Sequence, residues 1–261
     1  MIYFLIKIFK KIKVYFFYFL KNESRGFFFI LIKRKIFKLF CISKSYDSKQ
    51  LLKLCDKEKI TDNIFYKKIK IFKPKNFFHD KKSYYISARS RERSLNYKMG
   101  GMAHLNLIYN LVKYLKPKDI LETGVAFGWS TLVFILSKPK HSNLTSIDLS
   151  YPTKSSDKFV AMALPPNLKN EFKLLRGIDY NHLKLFNKKE KYFDFIHYDS
   201  DKSYDGRKKN YDLIWKILKK NGCFISDDIS DNSAFYEFVK LKKTNYHILK
   251  IGSKYVGVVF K

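Results

Sequence analysis

Apolar residues follow two different patterns along this chain, and the change comes near residue 95. From residue 104 the periods are regular. "HLNLIYNLVKYL" (104–115) puts Leu105, Ile108, Leu111, Val112 and Leu115 on one helical face, and Pro117 ends it. "DILET" (119–123) predicts a short buried strand, and "STLVFILSK" (130–138) a helix opening on the hydroxyl residues that N-caps prefer. Strands are predicted at "NLTSIDLS" (143–150), "EFKLLRG" (171–177) and "YFDFIHYD" (192–199). "YDLIWKILKKNG" (211–222) predicts an amphipathic helix closed by Gly222. A strand at "CFISDDI" (223–229) and a helix at "SAFYEFVKLKK" (233–243) come next. "YHILKI" and "YVGVVFK", separated by "GSK", predict a closing hairpin. Alternating strands and helices imply an α/β fold: a doubly wound, mostly parallel seven-stranded sheet with a C-terminal antiparallel hairpin.

Before residue 95 the pattern is looser. "MIYFLIKIFKKIKVYFFYFL" is apolar and basic, but its longest uncharged runs are short: Val14–Leu20 is one, Gly26–Ile32 another. A spanning helix needs about 20 mostly apolar residues, and a lysine at the bilayer centre costs roughly 2.5–3.5 kcal/mol. Lys7, Lys10 and Lys11 share one helical face. The pattern fits a helix lying in a membrane interface, and the lysines that interrupt it argue against a signal peptide. Residues 41–95 are polar and weakly periodic. "SKQLLKLCDKEKI" predicts one helix, and "KNFFHDKKSYYISARSRERS" a loop or cap over the more regular part of the chain. Three regions result: 1–40, a basic apolar segment; 41–95, a cap, lid or linker; and 96–261, the main domain.

Charge supports this division. The net charge of +30 would point to a polyanion, but Lys, Ile, Phe, Tyr and Asn are abundant together, the signature of A/T-rich codons. Residues 1–40 hold ten Lys or Arg and one Glu, residues 41–100 sixteen and six, and the last 161 residues twenty-seven and sixteen. Nine of the ten glycines lie at Gly100 or later. Cys41, Cys55 and Cys223 have neither zinc nor disulfide spacing, which suits a reducing compartment.

In parallel α/β sheets, ligands bind beyond the carboxyl ends of the strands. That rule gathers Glu122, Gly124 and Gly128, then Asp148, Asp179, Asp199, and Asp227 with Asp228. The glycines allow backbone to approach a ligand closely. Their pattern, Glu-x-Gly-x-x-x-Gly, is not the dinucleotide fingerprint, and Glu122 would oppose a pyrophosphate while suiting a cationic amine. Asp148 suits a ribose diol. An amine and a ribose without phosphates describe S-adenosylmethionine.

At these residues the chain resembles the class I S-adenosylmethionine-dependent methyltransferases, over roughly residues 97–261. The resemblance implies a Rossmann-like fold. It implies a cofactor held by Glu122, Gly124, Gly128 and Ser130 around the methionine part, Asp148 at the ribose and Asp179 near the adenine. Gly100, in "MGG" (99–101), looks like part of the segment that closes over the cofactor. "HYDSDKSYDG" and "ISDDISDN" are similar to cation-dependent O-methyltransferases of the catechol and macrocin types, which implies Mg2+ on Asp199, Asp227 and Asp228. Hard carboxylate oxygens suit that ion, and a metal lowers the pKa of a bound hydroxyl. By resemblance to the catechol type, Lys202 is a candidate general base, with Asp199 or Asp201 as the alternative.

The expected activity is therefore O-methylation of a sugar hydroxyl on a surface glycan or glycolipid. The acceptor would be a glycan or small molecule, with peripheral membrane contact through residues 1–40 at the inner face of the membrane and no nucleic acid expected. Assembly with further copies of the chain is left open. A small phenolic acceptor is the alternative within the class; a basic RNA-binding or non-catalytic membrane-associated protein is the alternative outside it. His197 is expected to be a hydrogen-bonded structural residue, Trp129 and Trp215 packing residues, and His104 a candidate substrate contact. "SARSRERS" is read as a solvated loop.

Overall fold

The computed structural model describes residues 13–20, 28, 29, 31, 32, 48–95, 99–149 and 157–261. The strands are β1 (Asp119–Thr123), β2 (Asn143–Asp148), β3 (Lys173–Arg176), β4 (Phe193–Tyr198), β5 (Leu218–Ser226), β6 (Tyr246–Ile251) and β7 (Lys254–Phe260). They form one seven-stranded sheet in the order β3-β2-β1-β4-β5-β7-β6. The first five run parallel, and β7 is antiparallel to both β5 and β6. The chain is thus mixed α/β with the Rossmann-like order, as its alternating pattern predicts.

Strand side chains alternate between the two faces, and the core divides accordingly. Ile120, Phe195, Ile225 and Val258 face one apolar layer; Leu121, Ile196, Phe224 and Val259 face the other. The first layer is completed by the helices we number α5 (Leu105–Leu115) and α6 (Trp129–Ser137), with α2 (Asp62–Lys68), α3 (Phe77–Asp80) and α4 (Lys82–Arg93) outside them. The second is completed by α7 (Asp179–Lys188), α8 (Tyr204–Ile217) and α9 (Ala234–Lys242), joined by Cys55 of α1 (Ser48–Glu58).

Residues 48–80 therefore belong to the packing of the sheet. After α1 the chain bridges to the exposed edge strand, where the Ile60 amide donates to the Ile248 carbonyl at 2.9 Å. It then reaches the opposite face, where the Phe77 amide donates to Asn106 Oδ1 and the Lys75 amide to Asn110 Oδ1. An edge strand offers unpaired amides and carbonyls, and this crossing covers part of it.

Three local readings change. Residues 82–93, expected in a loop or cap, are helical, with Ala88 buried in the core. The helix expected at 211–222 begins at Tyr204, where the Ser203 hydroxyl accepts from the Gly206 amide, and ends at Ile217. Gly222 is not its cap. It lies inside β5, where the register against β4 shifts, and a Cβ there would sit 2.8 Å from Leu218 Cδ1 and the Lys219 carbonyl. The cap reading failed because a bulge and a helix end both call for glycine. The face carrying Lys7, Lys10 and Lys11 lies outside the described residues.

Candidate functional site at the carboxyl ends of the strands

The residues singled out by sequence collect along the rim where β1, β2, β4 and β5 end. The rim is stitched by backbone: the Gly124 amide donates to the Ile147 carbonyl, the Asp199 amide to Thr123, and the Asp227 amide to Tyr198. Gly124 (φ +87°) and Gly128 (φ +96°) adopt a conformation that L residues avoid. Their neighbours are the protein's own backbone. A Cβ on Gly124 would lie 2.3 Å from the Asp199 carbonyl oxygen, and one on Gly128 2.8 Å from Ala161 Cα. The glycines let the loop sit tightly against β4 and against the segment after β2. Gly100 (φ +67°) is adjacent: its Cβ would touch that of Ala126, at 3.4 Å.

The carboxylates on the Gly-loop side are held by neutral donors. Glu122 is fully buried. It accepts from Ser130 Oγ at 2.5 Å, Thr131 Oγ1 at 2.7 Å and Ser146 Oγ at 2.7 Å, so three hydroxyls meet it instead of an open cleft. Ser130 is thereby committed to Glu122. Asp148 Oδ2 accepts from the Val125 and Ala126 amides at 3.0 and 2.6 Å, which fixes the loop between the two glycines. Burial pushes the Asp148 carboxyl up to about 6, against the pull of those amides and of Arg176, whose Nη1 is 3.9 Å from Oδ1. Asp179 opens α7; it accepts from Ser200 Oγ, Asn210 Nδ2 and the Tyr180 amide, and burial raises its pKa.

The second cluster is held by charges. The Lys202 ammonium lies against Asp199 and 2.7 Å from Asp228 Oδ2. Lys254 Nζ stands 3.1 Å from Asp228 Oδ1. Burial, with repulsion from Asp227 added, pushes Asp199 up to about 6 despite Lys202 and His197. Burial opposes the charge on Lys202 too, but Asp199, Asp228 and Asp227 outweigh it and hold the ammonium protonated well above the usual lysine range. Burial would likewise raise Asp227 and Asp228. His197 and Lys202 overcome it at Asp227, Lys202 and Lys254 at Asp228, and both are lowered.

Satisfaction is incomplete here. Asp227 Oδ1 is buried without a hydrogen bond, and so are both ring nitrogens of His197, although His197 Nε2 stands 3.4 Å away from that oxygen. His197 is buried as expected but not hydrogen-bonded. The donor chemistry of Asp199, Asp227 and Asp228, with one orphaned oxygen, fits a hard divalent cation. Their arrangement is one step short of a metal site: Lys202 stands between two of them, and among the described residues no three His, Cys, Asp or Glu side chains are grouped to hold a metal.

Sequence reasoning missed Arg207. It is fully buried on α8, and its guanidinium donates to the Asp228 carbonyl at 2.7 Å and the Asp227 carbonyl at 3.2 Å. It braces the turn in which Asp228 takes φ +53°. A signal existed: Arg207, Asn210, Tyr211, Ile214 and Ile217 share the helical spacing of one buried face. His104, considered as a substrate contact, is buried, caps α5 and lies 3.1 Å from Asp62 Oδ1. Trp129 packs on Tyr85 and Phe127 and donates to Glu92; Trp215 packs on Phe238. In "SARSRERS", Arg91 donates to the Met162 and Ala163 carbonyls, tying α4 to the segment over Gly128.

A family model described as a methyltransferase domain matches residues 121–229, the stretch that holds both clusters. Over that stretch the chain is similar to a methyltransferase domain. A curated relative, "Probable caffeoyl-CoA O-methyltransferase 3" of Dictyostelium discoideum, is 32% identical over 123 residues, 46% of this chain and 47% of that protein. The chain thus spans about half the length of the curated relative it matches. The O-methyltransferase from Bacillus cereus in complex with SAH is similar with a TM-score of 0.58 at 15% identity, over 79% of this chain and all of that one. The O-methyltransferase TomG from Streptomyces achromogenes, in complex with SAM, has a TM-score of 0.54 at 15% identity, over 68% of this chain and 89% of that one. At such identities the structural likeness speaks for the fold.

Proposed function

We propose that this chain transfers the methyl group of S-adenosylmethionine to a hydroxyl oxygen, on a sugar of a glycan or glycolipid. The observation that carries the reading is the juxtaposition of the two clusters. A rigid Gly loop anchored on Asp148 adjoins, through the Asp199–Gly124 contact, a charge-laden group of three aspartates and a lysine.

Each residue then has a task. Asp148 keeps Oδ1 for a ribose hydroxyl while Oδ2 holds the loop. Gly100, Gly124 and Gly128 shape the backbone beside it, Glu122 and Ser130 brace the loop from behind, and Asp179 supports Ser200 from the α7 side. The acceptor oxygen attacks the methyl carbon in line, the carbon–sulfur bond breaks, and sulfur leaves as a neutral thioether. The hydroxyl proton must go to a base. Lys202, clamped as an ammonium, is a poor acceptor in the arrangement described, and Asp199, with its pKa near 6, is the better one. Mg2+ would be held by Asp199, Asp227 and Asp228, and when bound it supplies Lewis acidity that acidifies the acceptor hydroxyl. The basic, apolar first 40 residues support an acceptor near a membrane.

The test is calorimetric titration of S-adenosylmethionine into the full chain, then radiolabelled methyl transfer to a panel of oligosaccharides, glycolipids and phenols, with and without chelator. Saturable cofactor binding with transfer to a sugar is the expected result; no binding at millimolar cofactor overturns the reading. Transfer to phenols or hydroxycinnamoyl thioesters alone would select the second reading, which the 32% identity to the curated relative favours.

A further inference from the structure

We infer that the helical residues 13–20, with Phe28, Phe29, Leu31 and Ile32, form an interfacial membrane-binding element that docks on anionic lipid headgroups. The argument stands apart from the methyl-transfer reading. Residues 13–20 are helical, and Tyr18 on one side of that helix is buried. Directly opposite, one turn apart, Phe16 is 58% exposed and Leu20 62%. Residues 28–29 and 31–32 are helical as well, and Phe28 stacks on both Tyr15 and Phe19, at 6.5 and 5.1 Å between centroids. This clasp orders the two pieces together and leaves Phe29 57% and Ile32 38% exposed, again on one helical side. Four large apolar side chains at helical spacing in solvent are a cost that only a partner removes.

The sequence around them says which partner. Lys10, Lys11, Lys13 and Lys21 flank the first piece, Lys33, Arg34 and Lys35 come directly after the second, and Glu23 is the one acid in the first 40 residues. Apolar side chains between dense lysines and arginines match the boundary between acyl chains and anionic headgroups. A protein partner would have to be both apolar and strongly acidic on one patch, and RNA would leave the apolar side chains in water. Among the described residues no helix is long and apolar enough to cross a bilayer.

The test is cosedimentation of the full chain with vesicles of phosphatidylcholine alone and with one-third phosphatidylglycerol. We expect binding to the anionic vesicles at least tenfold tighter than to neutral ones and weakened by salt. Replacing Phe16, Leu20, Phe29 and Ile32 with serine should weaken it tenfold or more. Changing Lys10, Lys11 and Lys13 to glutamate should do the same with the apolar side chains kept. Circular dichroism and thermal melting check that both variants remain folded. Equal binding to neutral vesicles, or none to either, overturns the inference. So does tight RNA binding unaffected by the serine variant, which would make the segment a polyanion site. A dimer that the serine variant dissolves, without vesicle binding, overturns it in favour of self-association.

Discussion

The two clusters at the rim satisfy their carboxylates in opposite ways. Around the Gly loop, Glu122 is met by three hydroxyls, Asp148 by two loop amides, and Asp179 by the Ser200 hydroxyl, the Asn210 side-chain amide and the Tyr180 backbone amide. Neutral donors of fixed geometry hold the carboxylates of that side as a cradle, although Arg176 Nη1 and Asn210 Oδ1 beside it are left without hydrogen bonds. At the ends of β4 and β5 the partners of Asp199, Asp227 and Asp228 are Lys202, Lys254 and His197, and polar atoms remain unsatisfied. Long cationic side chains can be displaced, whereas backbone amides cannot. The contrast teaches where to look for binding without rearrangement and where for exchange of ions and protons.

The largest effect should come from the brace between the two. Arg207→Met removes a buried guanidinium that serves the Asp227 and Asp228 carbonyls. Losing charge-assisted bonds and stranding one buried and one part-buried carbonyl costs about 3 kcal/mol of unfolding free energy, read by urea denaturation. A loss under 1 kcal/mol would mean that the turn holds itself.

Asp148→Asn comes next. The asparagine can still accept one loop amide but has no carboxylate to offer ribose hydroxyls. S-adenosylmethionine affinity should fall roughly 30-fold, about 2 kcal/mol, with stability changed much less. Unchanged affinity, by calorimetry, would refute the cradle reading of this side.

These two residues also mark the limit of what one chain of letters reveals. The parallel strands were legible because β1, β4 and β5 are apolar on both faces and end in acids. Asp148 was legible as a strand-end acid beside a Gly loop. The partners of Glu122 were not. Ser146 lies on a neighbouring strand and Ser130 and Thr131 on the following helix, and only the folded register brings them together. Arg207 was hidden for a different reason: apolar periodicity weighs a charged residue as solvent-facing, so the helix was read as starting only at Tyr211, after Arg207. Lys202 was found by its resemblance to the lysine of catechol-type enzymes, yet its clamp by Asp228 depends on β4 and β5 being adjacent.

A pH series sharpens the comparison further. With its carboxyl raised to about 6, Asp148 is largely protonated at pH 5 and ionised at pH 7. The ionised form accepts ribose hydroxyls, so cofactor affinity should rise up to about tenfold over that interval and then level. Stability of the free protein should move the other way. The folded carboxyl binds its proton more tightly than the unfolded one, so this stabilising contribution is present at low pH and lost as pH rises through 6. Asp148→Asn should flatten the affinity profile; a profile that stays steep in that variant would assign the titration to Asp199 instead.

The smallest effect concerns the exchangeable cluster itself. If the ammonium of Lys202 competes with a divalent cation for Asp199 and Asp228, then Lys202→Met should tighten Mg2+ binding, read by calorimetry without acceptor. The gain is modest because the pair is partly solvated, roughly three- to tenfold or about 0.7–1.4 kcal/mol. The same change should raise the repulsion among the three carboxylates of the free protein and lower its stability by a similar amount, an effect that added Mg2+ reverses. The Gly-loop side predicts nothing of the kind: S-adenosylmethionine affinity should be the same in Lys202→Met as in the unaltered chain. Mg2+ affinity that stays the same or weakens would show that the lysine is not the ion's competitor, and the exchange reading of this cluster would fall while the cradle beside it stood.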